Sequence, residues 1–457
     1  MKKLFIATLL ALQFGLSACA KSTPLDFKTK GEPMELIMPD STVVRYTAYT
    51  GIRYVTNIED TIYQTLNFFV PVGATQKSPI LLRTYVGGYR ASKAKAPSAY
   101  DATGRALQEG MCVCIPGSRG NDSMQGEKYT GTAPRGLLDL KAAVRYLRFN
   151  DKRMMGSAER IVTDGTSAGG AMSALLGATA NHPDYEPLLQ QMGAAKVRDD
   201  VFAAVCYCPI TDLDHADIAY EWLYMYRRPD VLAARLVAVK YNDYINELKL
   251  RNPKTGEVLN YENYMDYLKT YIMASAQRFV NEGGEIPDSL GFDYVTYRSA
   301  TPKSRPGGPH YVPAKPMKTE IVSDVNMNLY LAHVTSYQRL KEYPAFDNLQ
   351  SPECQLFGNE YGVPANFTGK HVDADLQKRV RMMNPMYYIR DKKSSVAPHW
   401  FIRHGAMDRD TSFPIPVNLA TMLMNEGKDV NFALPWNRYH SGDYNLDDLF
   451  GWLKSIL

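Results

Sequence analysis

The most constraining feature of this 457-residue sequence is the hexapeptide GTSAGG at residues 165–170. The apolar run RIVT precedes it at 160–163, and the stretch AMSALLG, which favours a helix, follows at 171–177. A G-x-S-x-G pattern between a strand and a helix is typical of a sharp turn that exposes the serine hydroxyl. Only small residues fit two positions before and after the serine in such a turn, as Gly165 and Gly169 do. We therefore predict Ser167 as a nucleophile and the Ala168 N–H as an oxyanion donor.

Strand and helix patterns alternate on both sides of this turn. Antiparallel strands are predicted between residues 34 and 72. Buried strands are predicted at 80–86, 111–115, 201–208, 399–403 and 430–434. Helices are predicted at 137–147, 416–426 and 446–457. This alternation predicts a mostly parallel sheet covered on both faces, and the serine turn indicates the α/β-hydrolase fold. Catalytic loops are then expected at the carboxyl ends of the strands.

The middle of the chain, residues 214–384, breaks this alternation and is rich in tyrosine, methionine and charge. It includes a long amphipathic helix predicted from Tyr261 to Phe279 and a loop rich in Pro, Gly and Lys at 304–318. We interpret it as a lid domain inserted between two parts of the hydrolase core, 19–213 and 385–457. An insertion at this point would cover the catalytic face and supply substrate contacts.

The base and acid should follow the serine in the chain order Ser, Asp or Glu, then His. His440 lies between the last predicted strand and the final helix, which makes it the predicted base. Asp408 follows the strand at 399–403 and is the predicted acid; Asp212, after an earlier strand, is the rival. Asp410 could face the substrate, or brace the loop or a helix start. His404 is assigned a packing role.

The second oxyanion donor should come from the loop after the strand at 80–86. Gly87 and Gly88 fit this position, because glycine lets the backbone approach a substrate closely. The sequence does not show which of these N–H groups points inward.

The N-terminus has the layout of a signal peptide, predicted at residues 1–18. Lys2 and Lys3 precede a short apolar stretch that ends in LSAC at residues 16–19. This ending resembles a bacterial lipobox and predicts a lipid on Cys19, the alternative being ordinary secretion with cleavage near Ala20. The expected location is the bacterial cell envelope, with a lipid anchor in the outer membrane if the source is Gram-negative, or outside the cell.

Charge and cysteine usage narrow the possible partners. The formal charge of +4 falls to +2 once the two leader lysines are removed, which argues against nucleic acid as a partner.

The pairs Cys112/Cys114 and Cys206/Cys208 could suggest a metal site or a vicinal disulfide, but no histidine pattern accompanies them. We interpret them as buried strand thiols and predict no metal and no cofactor.

Three longer segments together resemble the bacterial tannases, tannin acyl hydrolases of the type with a large lid. They are GTSAGGAMSALLGATANHPDY from residue 165, the pair Asp408-x-Asp410, and HSGDY from His440. The similarity covers essentially the whole mature chain. It implies hydrolysis of galloyl esters to gallic acid and an alcohol. It also implies that Asp410, Lys341 and Glu353 hold the three gallate hydroxyls, with Glu342 or Glu360 as alternatives to Glu353.

Other functions stay open at this stage. The same fold could serve a feruloyl or other carbohydrate esterase, a serine peptidase, or a lipid-anchored binding protein that has lost catalysis. Fungal tannases and feruloyl esterases place disulfide-bonded cysteines before the serine and beside the histidine. Here Thr166 precedes the serine and Tyr439 precedes the histidine.

Overall fold

The computed structural model describes residues 23–227, 232–298, 318–369 and 372–457. The predicted signal peptide, Cys19 and nearly all of the loop at 304–318 lie outside these ranges, so the expectations for them stay predictions.

Thirteen strands occur within the described ranges. In chain order they are β1 Glu32–Ile37, β2 Val43–Arg53, β3 Thr65–Pro71, β4 Ile80–Thr84, β5 Cys112–Pro116, β6 Met124–Gln125, β7 Lys128–Tyr129, β8 Ile161–Thr166, β9 Ala203–Tyr207, β10 Phe292–Arg298, β11 Lys318–Val325, β12 His399–Arg403 and β13 Asp429–Ala433.

Nine of these strands form one sheet in the order β1-β2-β3-β5-β4-β8-β9-β12-β13. The first four strands of this order pair antiparallel. From β5 to β13 every neighbouring pair is parallel. The predicted antiparallel start and mostly parallel remainder are therefore confirmed.

Fourteen α-helices occur within the same ranges. They are α1 Ala102–Gln108, α2 Arg135–Phe149, α3 Ala168–Ala178, α4 Glu186–Gln191, α5 Leu213–Tyr224, α6 Leu232–Ala238, α7 Lys240–Leu248, α8 Tyr264–Asn281, α9 Met327–Tyr337, α10 Pro352–Leu356, α11 Ala374–Met382, α12 Met386–Ile389, α13 Pro414–Asn425 and α14 Leu446–Ile456. Among the described residues, no helix combines the length and apolar character that crossing a membrane requires.

The sheet has a hydrophobic core on each face. Successive residues of a strand point to opposite faces, and Leu81 and Leu82 of β4 accordingly belong to two different buried clusters. Helices α2, α3 and α13 contribute to the larger cluster, whereas α1 and α14 contribute to the smaller one. Both faces are therefore covered, as the alternation of strands and helices predicts.

The chain between β9 and β12 contains α5 to α12 and the antiparallel hairpin of β10 and β11. The predicted amphipathic helix of this segment is α8, and its buried residues include Tyr264, Leu268 and Ile272. Helix α13 begins at Pro414, two residues before the predicted start, because proline suits the first turn of a helix.

Candidate active site

The turn between β8 and α3 places Ser167 in a strained conformation. Ser167 has φ 61° and ψ −125°, which an L-residue adopts only at a cost of about 1–3 kcal/mol. Three backbone hydrogen bonds hold it there: its N–H donates to the Tyr207 carbonyl at 2.9 Å, and its carbonyl accepts from the Ala171 N–H at 3.0 Å and the Ile210 N–H at 3.3 Å. The turn thus has the shape that the G-x-S-x-G pattern predicts.

Glycine is required on both sides of this serine for steric reasons. A Cβ at Gly165 would lie 2.2 Å from the carbonyl oxygen of Gly169, and one at Gly169 would lie 2.9 Å from that of Val86. The strand β8, the start of α3 and the loop after β4 therefore pack against each other backbone to backbone.

The structure brings the predicted base and acid to this serine. Nε2 of His440 lies 2.8 Å from Oγ of Ser167, and Nδ1 of His440 lies 2.8 Å from Oδ2 of Asp408. The other oxygen of Asp408 accepts the Asp410 N–H at 2.9 Å. This is the connectivity of a serine hydrolase triad, in which the acid orients the imidazole and the imidazole accepts the serine proton.

The surroundings favour the ionic states that such a triad needs. Burial by itself would lower the pKa of His440, but its hydrogen bond to Asp408 and the charges of Asp408 and Asp410 raise it overall. Burial by itself would raise the pKa of Asp408, yet the neighbouring histidines and the Asp410 amide lower it overall. Asp408 therefore stays ionised and can stabilise an imidazolium on His440.

His404 and Asp212 occupy other positions. His404 is fully buried at the end of β12, where burial lowers its pKa, and its Nδ1 lies 3.6 Å from Oδ2 of Asp408. Asp212 precedes α5 and pairs with Nδ1 of His215 at 2.8 Å. Its carboxylate also accepts hydrogen bonds from Tyr244 at 2.6 Å and Asn384 at 2.7 Å. Among the described residues, it is therefore Asp408 that meets His440.

The loop after β4 lies next to the serine turn. Gly88 has φ 55°, and its carbonyl accepts a hydrogen bond from Nδ2 of Asn121 at 3.0 Å. The carbonyl of Val86, just before Gly87, packs against Gly169 at the start of α3. The loop and the Ala168 N–H therefore lie on either side of Ser167. These are the groups predicted to bind the oxyanion.

Two of the predicted substrate contacts come from the segment between α9 and α11. Glu353 is buried in α10, and burial raises its pKa. The ammonium of Lys341 lies 4.4 Å from the centre of the Phe346 ring, and its charge acts on both Glu353 and His440. Oδ2 of Asp410 lies 3.8 Å from Nδ1 of His440. Asp410 therefore lies beside the triad, and the charge of Lys341 is close enough to influence the pKa of both Glu353 and His440.

The alternative glutamates lie elsewhere. Glu342 pairs with Arg339, and its side chain is 83% exposed. Glu360 pairs with Lys128 at 3.0 Å, and its side chain is 45% exposed. Both glutamates are thus exposed and paired at the surface, whereas Glu353 is buried and within the influence of the Lys341 charge.

In the described ranges, two clusters of side chains each bring together three atoms that could bind a metal ion. One consists of Cys208, Asp408 and His440, and the other of Asp212, Asp214 and His215. Since their carboxylates and imidazoles already hydrogen-bond to each other or to neighbouring side chains, we assign no metal to either group. The five cysteines in the described ranges are free and buried.

Sequence reasoning missed the residues that support this site. Arg83 of β4 binds both Asp164 of β8 and Asp443 of the loop that carries His440. The thiol of Cys208 donates to the Ser441 carbonyl at 2.8 Å. The available signal was a single charged residue within each of two buried strands.

Comparison with known proteins places the chain in a family. A tannase from Fusobacterium nucleatum is 33% identical, with 94% of this chain and 99% of that chain covered and a TM-score of 0.82. The native structure of a tannin acyl hydrolase from Lactobacillus plantarum is 34% identical, with 94% and 98% covered and a TM-score of 0.81. A tannin acyl hydrolase in complex with ethyl gallate is 33% identical, with the same coverage and a TM-score of 0.80.

The family model BD-FAE matches residues 66–254. Among curated proteins, esterase LipQ from Mycobacterium tuberculosis is 28% identical over 163 residues, which are 35% of each protein. The chain thus spans about a third of the length of this curated relative. The fold and these relatives define a carboxylic ester hydrolase with the α/β-hydrolase fold. Within this class, the chain belongs to the bacterial tannase family.

Proposed function

We propose that the protein hydrolyses galloyl esters to gallic acid and an alcohol through an acyl-enzyme on Ser167. The observation that carries the proposal is the hydrogen-bonded series Ser167–His440–Asp408, with 2.8 Å at each link. Two similar structures are of tannin acyl hydrolase in complex with ethyl gallate and with 3,4-dihydroxybenzoate, which supports a phenolic acyl group for this chain also.

The reaction starts when Oγ of Ser167 attacks the ester carbonyl while Nε2 of His440 takes the hydroxyl proton. Asp408 stabilises the resulting imidazolium, and the oxyanion is bound by the Ala168 N–H and an N–H of the Gly87-Gly88 loop. Collapse of the tetrahedral intermediate releases the alcohol, which takes the proton from His440. Water, deprotonated by His440, then attacks the acyl-enzyme; gallic acid leaves, and the proton returns to Ser167.

Substrate selection is assigned to Asp410, Glu353 and Lys341. Vicinal phenols donate hydrogen bonds to the two carboxylates, and the Lys341 ammonium donates to a phenol oxygen. Glu353 is buried, so a substrate without the matching hydroxyl would exclude water from this carboxylate without supplying a hydrogen bond in its place. A site built on buried hydrogen-bonding groups rejects such substrates strongly.

The test is to measure acid release from methyl gallate and methyl ferulate by the wild type and by Ser167→Ala. We expect gallate to be released faster than ferulate, and Ser167→Ala to be inactive on both while keeping the wild-type circular dichroism spectrum. Ser455→Ala, in the terminal helix α14, is a matched control that should keep full activity. Preference for ferulate would contradict the substrate assignment, and a folded, active Ser167→Ala would contradict the mechanism.

We also propose that the mature protein begins at a lipidated Cys19, which lies outside the described residues. The support is the sequence LSAC at the end of a short apolar segment. Mass spectrometry of the mature N-terminus after expression in a bacterial host tests this. A diacylglyceryl-modified Cys19 is expected, whereas an unmodified N-terminus at another residue would exclude the anchor.

A further inference from the structure

The loop that carries His440, residues 434–445 between β13 and α14, has no regular secondary structure. Asn437, Asp443 and Asn445 have φ values of 53°, 57° and 55°, in the left-handed region that Asn and Asp adopt more readily than other residues with a side chain. The hydrogen bonds of a helix or strand therefore do not fix the position of His440. That position depends on the contacts that individual groups of the loop make with the core.

One of these contacts is an ion pair between a buried arginine and a partly buried aspartate. Nη1 and Nη2 of Arg83 donate to the two oxygens of Asp443 at 2.9 and 2.6 Å. The Arg83 side chain is 5% exposed and that of Asp443 is 19% exposed. One oxygen of Asp443 also accepts the Ala102 N–H, at the start of α1, at 3.1 Å. Such a two-pronged guanidinium–carboxylate pair restricts direction as well as distance.

The same guanidinium also holds the strand that ends in the nucleophile. Nη1 of Arg83 lies 2.5 Å from Oδ2 of Asp164, which is fully buried in β8. Asp164 is three residues before Ser167, and Asp443 is three residues after His440. Arg83 therefore connects the two segments whose separation sets the distance between the serine oxygen and the imidazole.

We propose that Arg83 and Asp443 are positioning residues that set His440 against Ser167. The inference rests on the proposed function, because it assumes that these two residues react. Arg83 is the cation shared by the buried carboxylate of Asp164 and the partly buried carboxylate of Asp443. Displacing any of the three groups would leave a charge unpaired inside the protein, which is costly. Lysine could keep the charge but not the parallel hydrogen bonds to Asp443.

The experiment measures kcat and KM of Asp443→Asn and Arg83→Lys on methyl gallate and on methyl benzoate. Small displacements of reacting groups lower rates steeply, so we expect kcat to fall about tenfold to a hundredfold on both esters. KM should stay within about twofold, because the proposed gallate contacts are untouched. The rate of Ser167 labelling by a fluorophosphonate should fall by the same factor as kcat, since labelling also needs His440.

The matched control is Arg145→Lys, which alters an ion pair whose arginine is as buried as Arg83 and whose carboxylate is more buried than that of Asp443. Nε of Arg145 lies 2.8 Å from Oδ2 of Asp199, and the two side chains are 5% and 1% exposed. Asp199 precedes β9, at the amino end of the parallel strands and hence opposite the catalytic loops. A purely structural effect would lower the melting temperature of all three variants alike and leave kcat of the folded protein unchanged.

Wild-type kcat and labelling rates in folded Asp443→Asn and Arg83→Lys would overturn the inference. If Asp443→Asn does not fold, Arg83→Lys decides by the same criteria. Should Ser167→Ala be inactive while both variants keep the wild-type kcat, only the positioning role fails. Should Ser167→Ala itself be active, the proposed function fails instead.

Discussion

Replacing Asp410 by asparagine separates substrate recognition from orientation of the base. The carboxylate of Asp410 lies beside the triad, with Oδ2 3.8 Å from Nδ1 of His440, whereas Asp408 makes the 2.8 Å hydrogen bond. Asparagine keeps the size of the side chain but removes its charge. The variant should therefore weaken the hydrogen bonds from the gallate phenols and leave the triad assembled.

The magnitude follows from the exposure of the group and the distances. A hydrogen bond to a charged group contributes about 1.5–3 kcal/mol. Since the Asp410 side chain is 34% exposed, we expect the lower part of this range, about 1.5–2 kcal/mol. This corresponds to a fall of about tenfold to thirtyfold in kcat/KM. The water-exposed charge of Asp410, 3.8 Å from His440, stabilises the imidazolium by about 1 kcal/mol. The kcat/KM for a plain ester should therefore fall at most about fivefold.

The assay compares kcat/KM for methyl gallate and methyl benzoate in the wild type, Asp410→Asn and Asp408→Asn. Because the effect on His440 is common to both esters, their ratio isolates the phenol contact. The ratio should fall about tenfold to thirtyfold in Asp410→Asn. Asp408→Asn should lower both esters by on the order of 10⁴ and leave the ratio unchanged. Equal losses on both esters in Asp410→Asn would refute the reasoning. They would show that Asp410 helps to orient the base, His440, instead of recognising the substrate.

The remaining predictions concern pH and packing. The base His440 must be neutral and its pKa is raised above 6.5, so kcat/KM for a plain ester should increase with pH through a midpoint above 6.5; a midpoint below 6 would contradict this. The charges of Asp212 and its neighbours raise the pKa of His215 to about 9 despite burial, so its stabilising contribution should be complete below pH 6.5 and lost as pH rises through about 9. The difference in unfolding free energy between wild type and His215→Gln should therefore shrink from pH 6 to pH 10, and a constant difference would exclude this role. A Cβ at Gly442 would lie 1.9 Å from a hydroxyl at the end of β8, whereas one at Gly451 would meet nothing within 4 Å; Gly442→Ala should lower kcat and Gly451→Ala should not.

Local patterns determined the features that depend on neighbours in the chain. The alternation of strand and helix, the sharp turn at Ser167 and the buried strands on either side all follow from residue spacing and small residues within short windows. A mostly parallel sheet then follows, because parallel strands need crossovers and their carboxyl ends share one edge. That edge is why His440 and Asp408, each located after a strand, could be named as partners of a serine far earlier in the chain.

Only the tertiary structure decided which charged groups meet. Asp212 and Asp408 both follow buried strands, but Asp212 is taken up by His215, Tyr244 and Asn384. The ion pair of Arg83 and Asp443 joins residues 360 positions apart, and no local pattern encodes such a distance. Hydrophobic periodicity specifies which face of an element is buried, whereas the pairing of buried charges depends on the packing of all elements together. The sequence by itself therefore determined the framework and the candidates, and packing selected the partners and the groups that hold them.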